Sequence, residues 1–351
     1  MLFAHKFSFI YESNMNFLVT GASGFLGRHL IEALWQSEDC SQIMVLVRDK
    51  KSWHEMKWTH KYSNLKVIEG DLLNWETWGK HKELQKIGGV FHLAAAVIHN
   101  KESRNEVFEV NVNGAESVLR FAASKKARMV FLSTSGTVGC FTDLNKSANE
   151  NSEYCTEVVQ NWPYYASKIE AEKILKSLAT ELKTQLIILR PPMLLGPGDH
   201  RGRSTSQIMK FLNGKVPFIV DGGIHYVDIR DVARAVLKAM VIANPKPIYH
   251  LPGTSSTLKE FFASLSLASE KRAPYFILPR KFVLFIAKIE YYLAKLIHRN
   301  HGFGLCPDPV VVEMASHYWA LESLFAKNDL NFDPRPGDET LKDTVLWING
   351  E

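Results

Sequence analysis

Short runs of apolar, mostly β-branched residues alternate along the first half of the chain with longer stretches whose apolar positions recur at helical spacing. The runs predict strands at 16–20, 43–47, 65–69, 90–93, 129–133 and 186–189. The stretches between them predict helices over 26–35, 75–86, 106–124 and 164–182. Strand, helix, strand at this rhythm implies an α/β fold with a doubly wound parallel sheet. The strands are almost wholly apolar, as strands covered on both faces are.

The rhythm stops after Arg190, where Pro191, Pro192 and Gly196-Pro197-Gly198 break regular structure. Beyond them short strands and helices mix without a period, although 247–251 has the character of a strand returning to the main sheet. Residues 15–190 are therefore expected to form the main domain and 191–351 a smaller, interleaved C-terminal substrate lobe, with 226–251 returning to the main domain. Met15 stands directly before the first strand, so 1–14 reads as an N-terminal extension or a non-native start.

Composition narrows the class. A chain of 351 residues, 46% hydrophobic and 23% charged, can bury a large core. The formal net charge of +5 is spread along the chain, which argues against nucleic acid as a partner. Cys40, Cys140, Cys155 and Cys306 are far apart and form no zinc or redox spacing, so no metal is expected and free thiols in a cytoplasmic protein are the simplest reading. No apolar run is long enough to span a membrane. The nearest, 282–297, is interrupted by Lys288, Glu290 and Lys295, the pattern of an amphipathic helix; peripheral membrane contact is the alternative to burial in the lobe.

The first strand runs straight into Thr20-Gly21-Ala22-Ser23-Gly24-Phe25-Leu26-Gly27. Glycines here let the backbone turn tightly against a pyrophosphate, and the following helix N-terminus offers N–H donors and a positive dipole end. In its strand–turn–helix setting this motif predicts a dinucleotide site, with Gly21, Ser23, Gly24, Phe25, Leu26 and Gly27 as cofactor contacts, and makes the sheet Rossmann-type. The second strand ends Val47-Arg48-Asp49-Lys50-Lys51. Arg48 can fork onto a 2′-phosphate, which favours NADP(H), whereas a small shift of register would make Asp49 a ribose acceptor and select NAD(H). Asp71 and Leu72 follow the third strand near the expected adenine position, and Leu93, Ala94 and Ala95 end the fourth, small enough for a dinucleotide to lie close.

Tyr164 and Lys168 are one helical turn apart on one face, a spacing at which an ammonium can favour the phenolate of an acid–base tyrosine. Tyr165 shares that face with Lys168 at i, i+3, and core packing is the simpler expectation for it. The fifth strand ends Ser133-Thr134-Ser135-Gly136, at the sheet edge where hydroxyls face the ligand crevice; Ser135 can donate to a substrate carbonyl oxygen.

Together these residues resemble the extended short-chain dehydrogenase/reductase family, the NAD-dependent epimerase/dehydratase superfamily. The glycine turn, Asp71, His92–Ala95, Asn111, Ser135, Tyr164 with Lys168, Arg190-Pro191-Pro192, Tyr226–Ala233 and Asn331–Pro336 occur in that family's order, over nearly the whole chain from Met15. The resemblance implies Tyr164 as general acid–base, Lys168 as its electrostatic partner and Ser135 as the oxygen-positioning donor. It implies support of the lysine by Asn111 through water, and Pro191 and Pro192 beside the nicotinamide. Asp231 is expected to cap a helix over 232–240. The segments around Arg48 and Ser135 are most similar to dihydroflavonol-reductase-like and 3β-hydroxysteroid-dehydrogenase-like members, and Gly136 after Ser135 departs from the dehydratase pattern.

The expected activity is hydride transfer between a nicotinamide, NADPH preferred, and a carbonyl or alcohol carbon of a small apolar substrate. A nucleotide-sugar epimerase with tightly bound NAD is the enzyme alternative, and a non-catalytic dinucleotide sensor the alternative of another class. A homodimer is common in the family.

Overall fold

The computed structural model describes residues 15–62, 65–296 and 308–351; the expected extension 1–14, the end of the 282–297 segment and Cys306 lie outside the described residues. Five strands build the first half: β1 (Met15–Thr20), β2 (Cys40–Val47), β3 (Lys66–Glu69), β4 (Gly89–His92) and β5 (Arg128–Leu132). The short β6 (Cys140–Phe141) leaves the sheet, and β7 (Leu186–Arg190) returns to it. The second half adds β8 (Met193–Leu195), β9 (Phe218–Val220), β10 (Gly223–Asp228), β11 (Ile248–His250), β12 (Thr254–Thr257), β13 (Phe276–Leu278) and β14 (Tyr318–Trp319).

The main sheet has seven strands in the order β11-β7-β5-β4-β1-β2-β3, every neighbouring pair parallel. From β1 the chain moves outward to β3 and then comes back to β4 on the other side of β1. Helices on opposite faces diverge at that reversal and leave a crevice over the C-terminal ends of β1 and β4.

Alternation along the strands explains the two covered faces. Phe17 and Val19 of β1 bury against Leu26 and Leu30 of α1 (Phe25–Trp35) and against Val232 and Val236 from a helix late in the chain. Leu18 points the other way, into the layer of Val118, Leu119 and Leu175. Each such side chain withdrawn from water contributes about 1.5–3 kcal/mol.

Four of the predicted helical stretches need comment. After the short α2 (Lys50–His54), the stretch expected over 75–86 is a single turn, α3 (Trp75–Trp78), and then a 3-10 turn at Lys82–Leu84. Gly79 ends the helix, and a Cβ there would lie 2.6 Å from the Trp75 carbonyl oxygen. The stretch expected over 106–124 is α4 (Arg104–Phe108) and α5 (Gly114–Ser124), joined by a π-turn at Glu109–Asn113 whose extra residue brings Asn111 inward. Past α6 (Thr156–Val159), α7 (Pro163–Glu181) begins with proline in its first turn, where the missing N–H costs nothing. The late helix, α9 (Ile229–Val241), is capped by Asp228, which accepts from the Arg230 N–H. Asp231, the expected cap, is instead buried inside the first turn and holds Arg335, accepting from its backbone N–H at 2.9 Å.

Segment 226–251 is divided between the two regions. β10 pairs with β8 and β12 in a separate three-stranded sheet, whereas α9 packs on α1 and β11 joins the main sheet beside β7. The lobe is completed by α8 (Ser206–Leu212), α10 (Leu258–Ser269), α11 (Arg280–Leu296), α12 (Pro309–Ala315) and α14 (Gly337–Asn349), whereas α13 (Ala326–Leu330) packs beside α9 on the core of the main sheet. Phe211, Phe261, Phe262, Leu265 and Leu341 form the core of the lobe.

Candidate active site

One cavity of about 1290 Å³ runs from the glycine turn, across the ends of β1, β4 and β5, to α10 and α12. Its sheet-side floor is set by close packing of backbone. Gly21 has φ of +73°, and a Cβ on it would lie 2.6 Å from the Ala94 nitrogen. A Cβ on Gly27 would lie 2.3 Å from the Gly21 carbonyl oxygen, so this glycine lets α1 start hard against the turn. Gly24 is the N-cap of α1 and supplies no side-chain cap, which leaves the first helical N–H groups available to an anion. Thr20 ties the ends of β1 and β4 together, its Oγ1 2.7 Å from His92 Nδ1 and accepting from the Ala94 N–H at 3.4 Å. These positions suit a dinucleotide pyrophosphate: a cradle without Cβ atoms, bare N–H donors and a helix dipole converge on it.

Ser23, Phe25 and Leu26 line this end of the cavity, as do Asp71, Leu72, Leu93 and Ala95. Asp71 is exposed, and its Oδ1 accepts from the Leu73 N–H at 3.0 Å. Arg48 and Asp49 both reach the wall at the end of β2, but they differ in what occupies them. Asp49 caps α2, and hydrogen bonds from the Ser52 hydroxyl and the Lys51 N–H hold its carboxyl below the usual carboxylate range. Arg48 is exposed and has no ion-pair or hydrogen-bond partner among the described residues.

Ser135, Tyr164, Lys168 and Pro191 all line the middle of the same cavity. Ser135 is buried at the tip of β5, and its N–H donates to the Pro191 carbonyl at 2.8 Å, which joins the β5 and β7 ends. Lys168 is buried, donates to the Leu132 carbonyl at 2.7 Å and lies 4.4 Å above the Phe131 ring. Burial pulls its ammonium down to about 7, against the attraction of Glu172. Burial also pushes the Tyr164 phenol up to about 12. The sequence predicts a phenol lowered by the lysine; in the structure desolvation decides the direction, and the phenol is protonated at neutral pH.

Asn111 stands behind the cavity wall. Its Oδ1 accepts from the Ala96 N–H at 2.7 Å, and its Nδ2 donates to the Ala96 carbonyl at 3.0 Å and to Ser167 Oγ at 2.9 Å. The side chain thus clamps the segment after β4 to α7, one residue from Lys168.

Several contributors escape the sequence pattern. Glu172, one turn beyond Lys168, is buried and bound by Arg190, Ser133 and Tyr154. Burial raises its carboxyl, but the Arg190 guanidinium and the Ser133 hydroxyl outweigh that and hold it below the usual range. Its i, i+4 spacing from Lys168 on one helix face was the available signal. His99 sits edge-on to Tyr164 at 5.8 Å and stacks on Tyr165 at 6.0 Å, its buried Nδ1 without a partner among the described residues. Tyr165 packs between aromatic rings, Trp319 of β14 among them, yet also lines the cavity. Gly136 makes this possible, because a Cβ there would meet the Tyr165 ring at 2.2 Å.

The far end of the cavity is lined by apolar side chains, including Val216, Phe218, Ile224, Phe261 and Met314. Arg203, Lys210 and Lys215 also line the cavity, as does Arg201 toward the glycine turn, and none of the four forms an ion pair among the described residues. Arg201 reaches across to Ser23 Oγ at 3.2 Å.

The sequence model of the NAD dependent epimerase/dehydratase family matches residues 17–250. The chain belongs to that family. A Synechocystis protein with a dihydroflavonol 4-reductase designation is 26% identical over 342 residues, covering 95% of this chain and 94% of that one. Cinnamoyl-CoA reductase 2 of Medicago truncatula is 31% identical over 233 residues, 62% of this chain and 66% of that enzyme. Among solved structures, dTDP-glucose 4,6-dehydratase of Bacillus anthracis superposes with a TM-score of 0.73 at 17% identity, covering 96% of this chain and 97% of that one. UDP-glucose 4-epimerase of Thermotoga maritima superposes with a TM-score of 0.69 at 21% identity, covering 96% and 99%. These structural likenesses carry the Rossmann-type fold, while the sequence relatives are reductases.

Proposed function

We propose that the protein is an NADPH-preferring carbonyl reductase of the extended short-chain dehydrogenase/reductase type, acting on a small substrate with an apolar body. The observation that carries this reading is the continuity of one cavity from the glycine turn and Arg48 to Ser135, Tyr164 and Lys168.

Gly21, Ser23, Gly24, Phe25, Leu26 and Gly27 would hold the pyrophosphate, Arg48 the 2′-phosphate, and Asp71, Leu72, Leu93, Ala94, Ala95 and Pro191 the remaining faces of the cofactor. When bound, the reduced nicotinamide supplies a hydride to the carbonyl carbon. Ser135 Oγ donates to the carbonyl oxygen and stabilises the charge that develops there. Tyr164 gives its phenolic proton to that oxygen, which completes the alcohol and leaves a phenolate. Lys168, as the ammonium, stabilises the phenolate, an attraction that offsets the burial disfavouring its charge. Asn111 and Glu172 are positioning residues: one fixes the segment after β4, the other anchors α7 to Arg190. Burial keeps the Tyr164 phenol protonated at neutral pH, the form that can donate in reduction.

The lobe cations that line the cavity support a second reading, an epimerase that holds NAD and acts on a nucleotide sugar, whose phosphates they would answer. One experiment separates the two. The purified protein is checked for retained nucleotide, titrated with NADPH and NADH by nicotinamide fluorescence, and then assayed on apolar ketones and on sugar nucleotides. Exchangeable NADPH bound tighter than NADH, with ketone-dependent oxidation of it, is expected. Retained NAD with turnover of a sugar nucleotide would overturn the reductase in favour of the epimerase.

A further inference from the structure

Helix α11 buries only a narrow stripe. Val283, Ala287, Glu290 and Ala294 face the protein and pack toward α12, and Val283 also lines the substrate end of the cavity. At about 100° per residue, Phe285, Ile289, Tyr292 and Leu296 fall on a different face. All four are exposed, Phe285 at 63% and Leu296 at 76%. Phe282 and Leu293 widen that face, and Tyr275, Phe276 and Ile277 are exposed on the segment that leads into the helix, Tyr275 at 88%. Nine of the fifteen large apolar side chains exposed among the described residues fall within 275–296. Scattered single exposures are ordinary on a soluble surface; a concentration of this kind marks an interaction site.

Charge identifies the partner. Lys281, Lys288 and Lys295 recur every seventh residue, so they form one row along the helix, and all three are exposed. Lys271, Arg272 and Arg280 are exposed on the approach. Against these the segment has only Glu270 and Glu290, and Glu290 is buried; α11 exposes no carboxylate. A second copy of this chain would offer this face the same cations and no acid from the helix to pair them. An anionic lipid surface offers negative headgroups for the lysine row and acyl chains for the aromatic face. No helix among the described residues is long and apolar enough to cross a membrane, so the contact is interfacial.

We propose that α11 with the exposed segment before it docks the protein on an anionic membrane surface, Phe285, Ile289, Tyr292 and Leu296 entering the interface and Lys281, Lys288 and Lys295 engaging the headgroups. An interfacial helix of this kind buries its apolar face by roughly 5–10 Å. Because Val283 on the opposite side borders the cavity, docking sets the substrate chamber one helix thickness, roughly 10 Å, from the lipid.

The test is flotation of the purified full chain with vesicles of phosphatidylcholine alone or mixed with phosphatidylglycerol, at low and high salt. Flotation with the mixed vesicles, lost at high salt, is expected. The combined substitution Lys281→Ala, Lys288→Ala and Lys295→Ala should lower partitioning by roughly a hundredfold. The combined substitution Phe285→Ser, Ile289→Ser and Leu296→Ser should lower it at least as far, and a melting curve checks that each variant is folded. If the apolar variant does not fold, the lysine variant alone decides. The proposal is overturned if the wild-type chain floats with neither vesicle, or if partitioning survives the lysine substitutions. A dimer by light scattering that the apolar variant dissolves, with no flotation, would instead make a second copy the occupant.

Discussion

The two walls of the cavity are made of different materials. On the sheet side the surface is mostly backbone and small side chains, fixed by contacts with no slack: Gly21 against Ala94, Gly27 against Gly21, Asn111 on the Ala96 peptide. On the lobe side the strands run three to six residues, and the surface is aromatic rings and long cations such as Arg203 and Lys210. A backbone cradle recognises one constant shape, and almost any added atom collides with it. A wall of side chains can be exchanged residue by residue without disturbing the frame. In the proposed function, cofactor binding falls to the rigid wall and substrate choice to the exchangeable one, with Ser135, Tyr164 and Lys168 where the two meet.

The largest effect is expected at that meeting line. Tyr164→Phe removes one hydroxyl and keeps the ring that packs on His99 and Tyr165, so the fold and both walls persist. Turnover should fall by roughly 10²–10⁴ while the dissociation constant for NADPH stays within about twofold. Full turnover in this variant would remove Tyr164 from the chemistry. The wild-type pH profile carries the same assignment. Burial raises the phenol toward about 12, so carbonyl reduction, which consumes its proton, should not be limited by phenol ionisation at neutral pH. Alcohol oxidation needs the phenolate and should gain about tenfold per pH unit below that value, until another group limits it.

The contrast between the walls also explains what the sequence made legible. The rigid wall obeys local rules. Glycine at a strand–helix turn and apolar runs at strand length give β1, β2 and β7 to within a few residues of the expected ranges. Its misses have local causes of another kind. Arg128 begins β5 although it is charged, because its guanidinium donates inward to the Met240 and Ile242 carbonyls. The helix expected over 75–86 stops at Gly79, where Trp75 and Trp78 turn onto Phe121. The candidate set Ser135, Tyr164 and Lys168 is legible from spacing on one helix and one strand end, and all three line one cavity. The Glu172–Arg190 pair behind it and the Asp231–Arg335 pair at the start of α9 join residues 18 and 104 apart, and no periodicity reports those. The lobe wall is assembled from α8, β9, α10 and α12, which no motif links, so its cations were visible in the sequence but their convergence on one cavity was not.

A smaller effect should separate the walls at the adenosine end. Arg48 is exposed and unpartnered among the described residues, so Arg48→Ala loses no structural contact there. A charged hydrogen bond to a 2′-phosphate is worth about 1.5–3 kcal/mol, so NADPH affinity should drop by roughly ten- to a hundredfold and NADH affinity should barely move. The KM for the carbonyl substrate should also hold, since Arg48 lies at the opposite end of the cavity. Equal losses for both nucleotides would return Asp49 to consideration as the ribose contact.

The smallest effect is expected on the lobe wall, and it is the one that tests whether the walls act independently. Arg201 is unsuitable, because its bond to Ser23 Oγ joins the lobe to the glycine turn and a substitution would touch both. Arg203 lines the cavity without such a bridge and is exposed. An exposed charge is screened, and its loss is worth about 1 kcal/mol or less, so Arg203→Ala should raise KM by no more than roughly fivefold. That rise should occur only for substrates carrying an anionic group, shrink as salt is added, and leave the NADPH dissociation constant and the rate on neutral ketones unchanged. If KM and the NADPH constant move together instead, Arg203 serves the cofactor, and the division of labour between the walls fails at this end of the cavity.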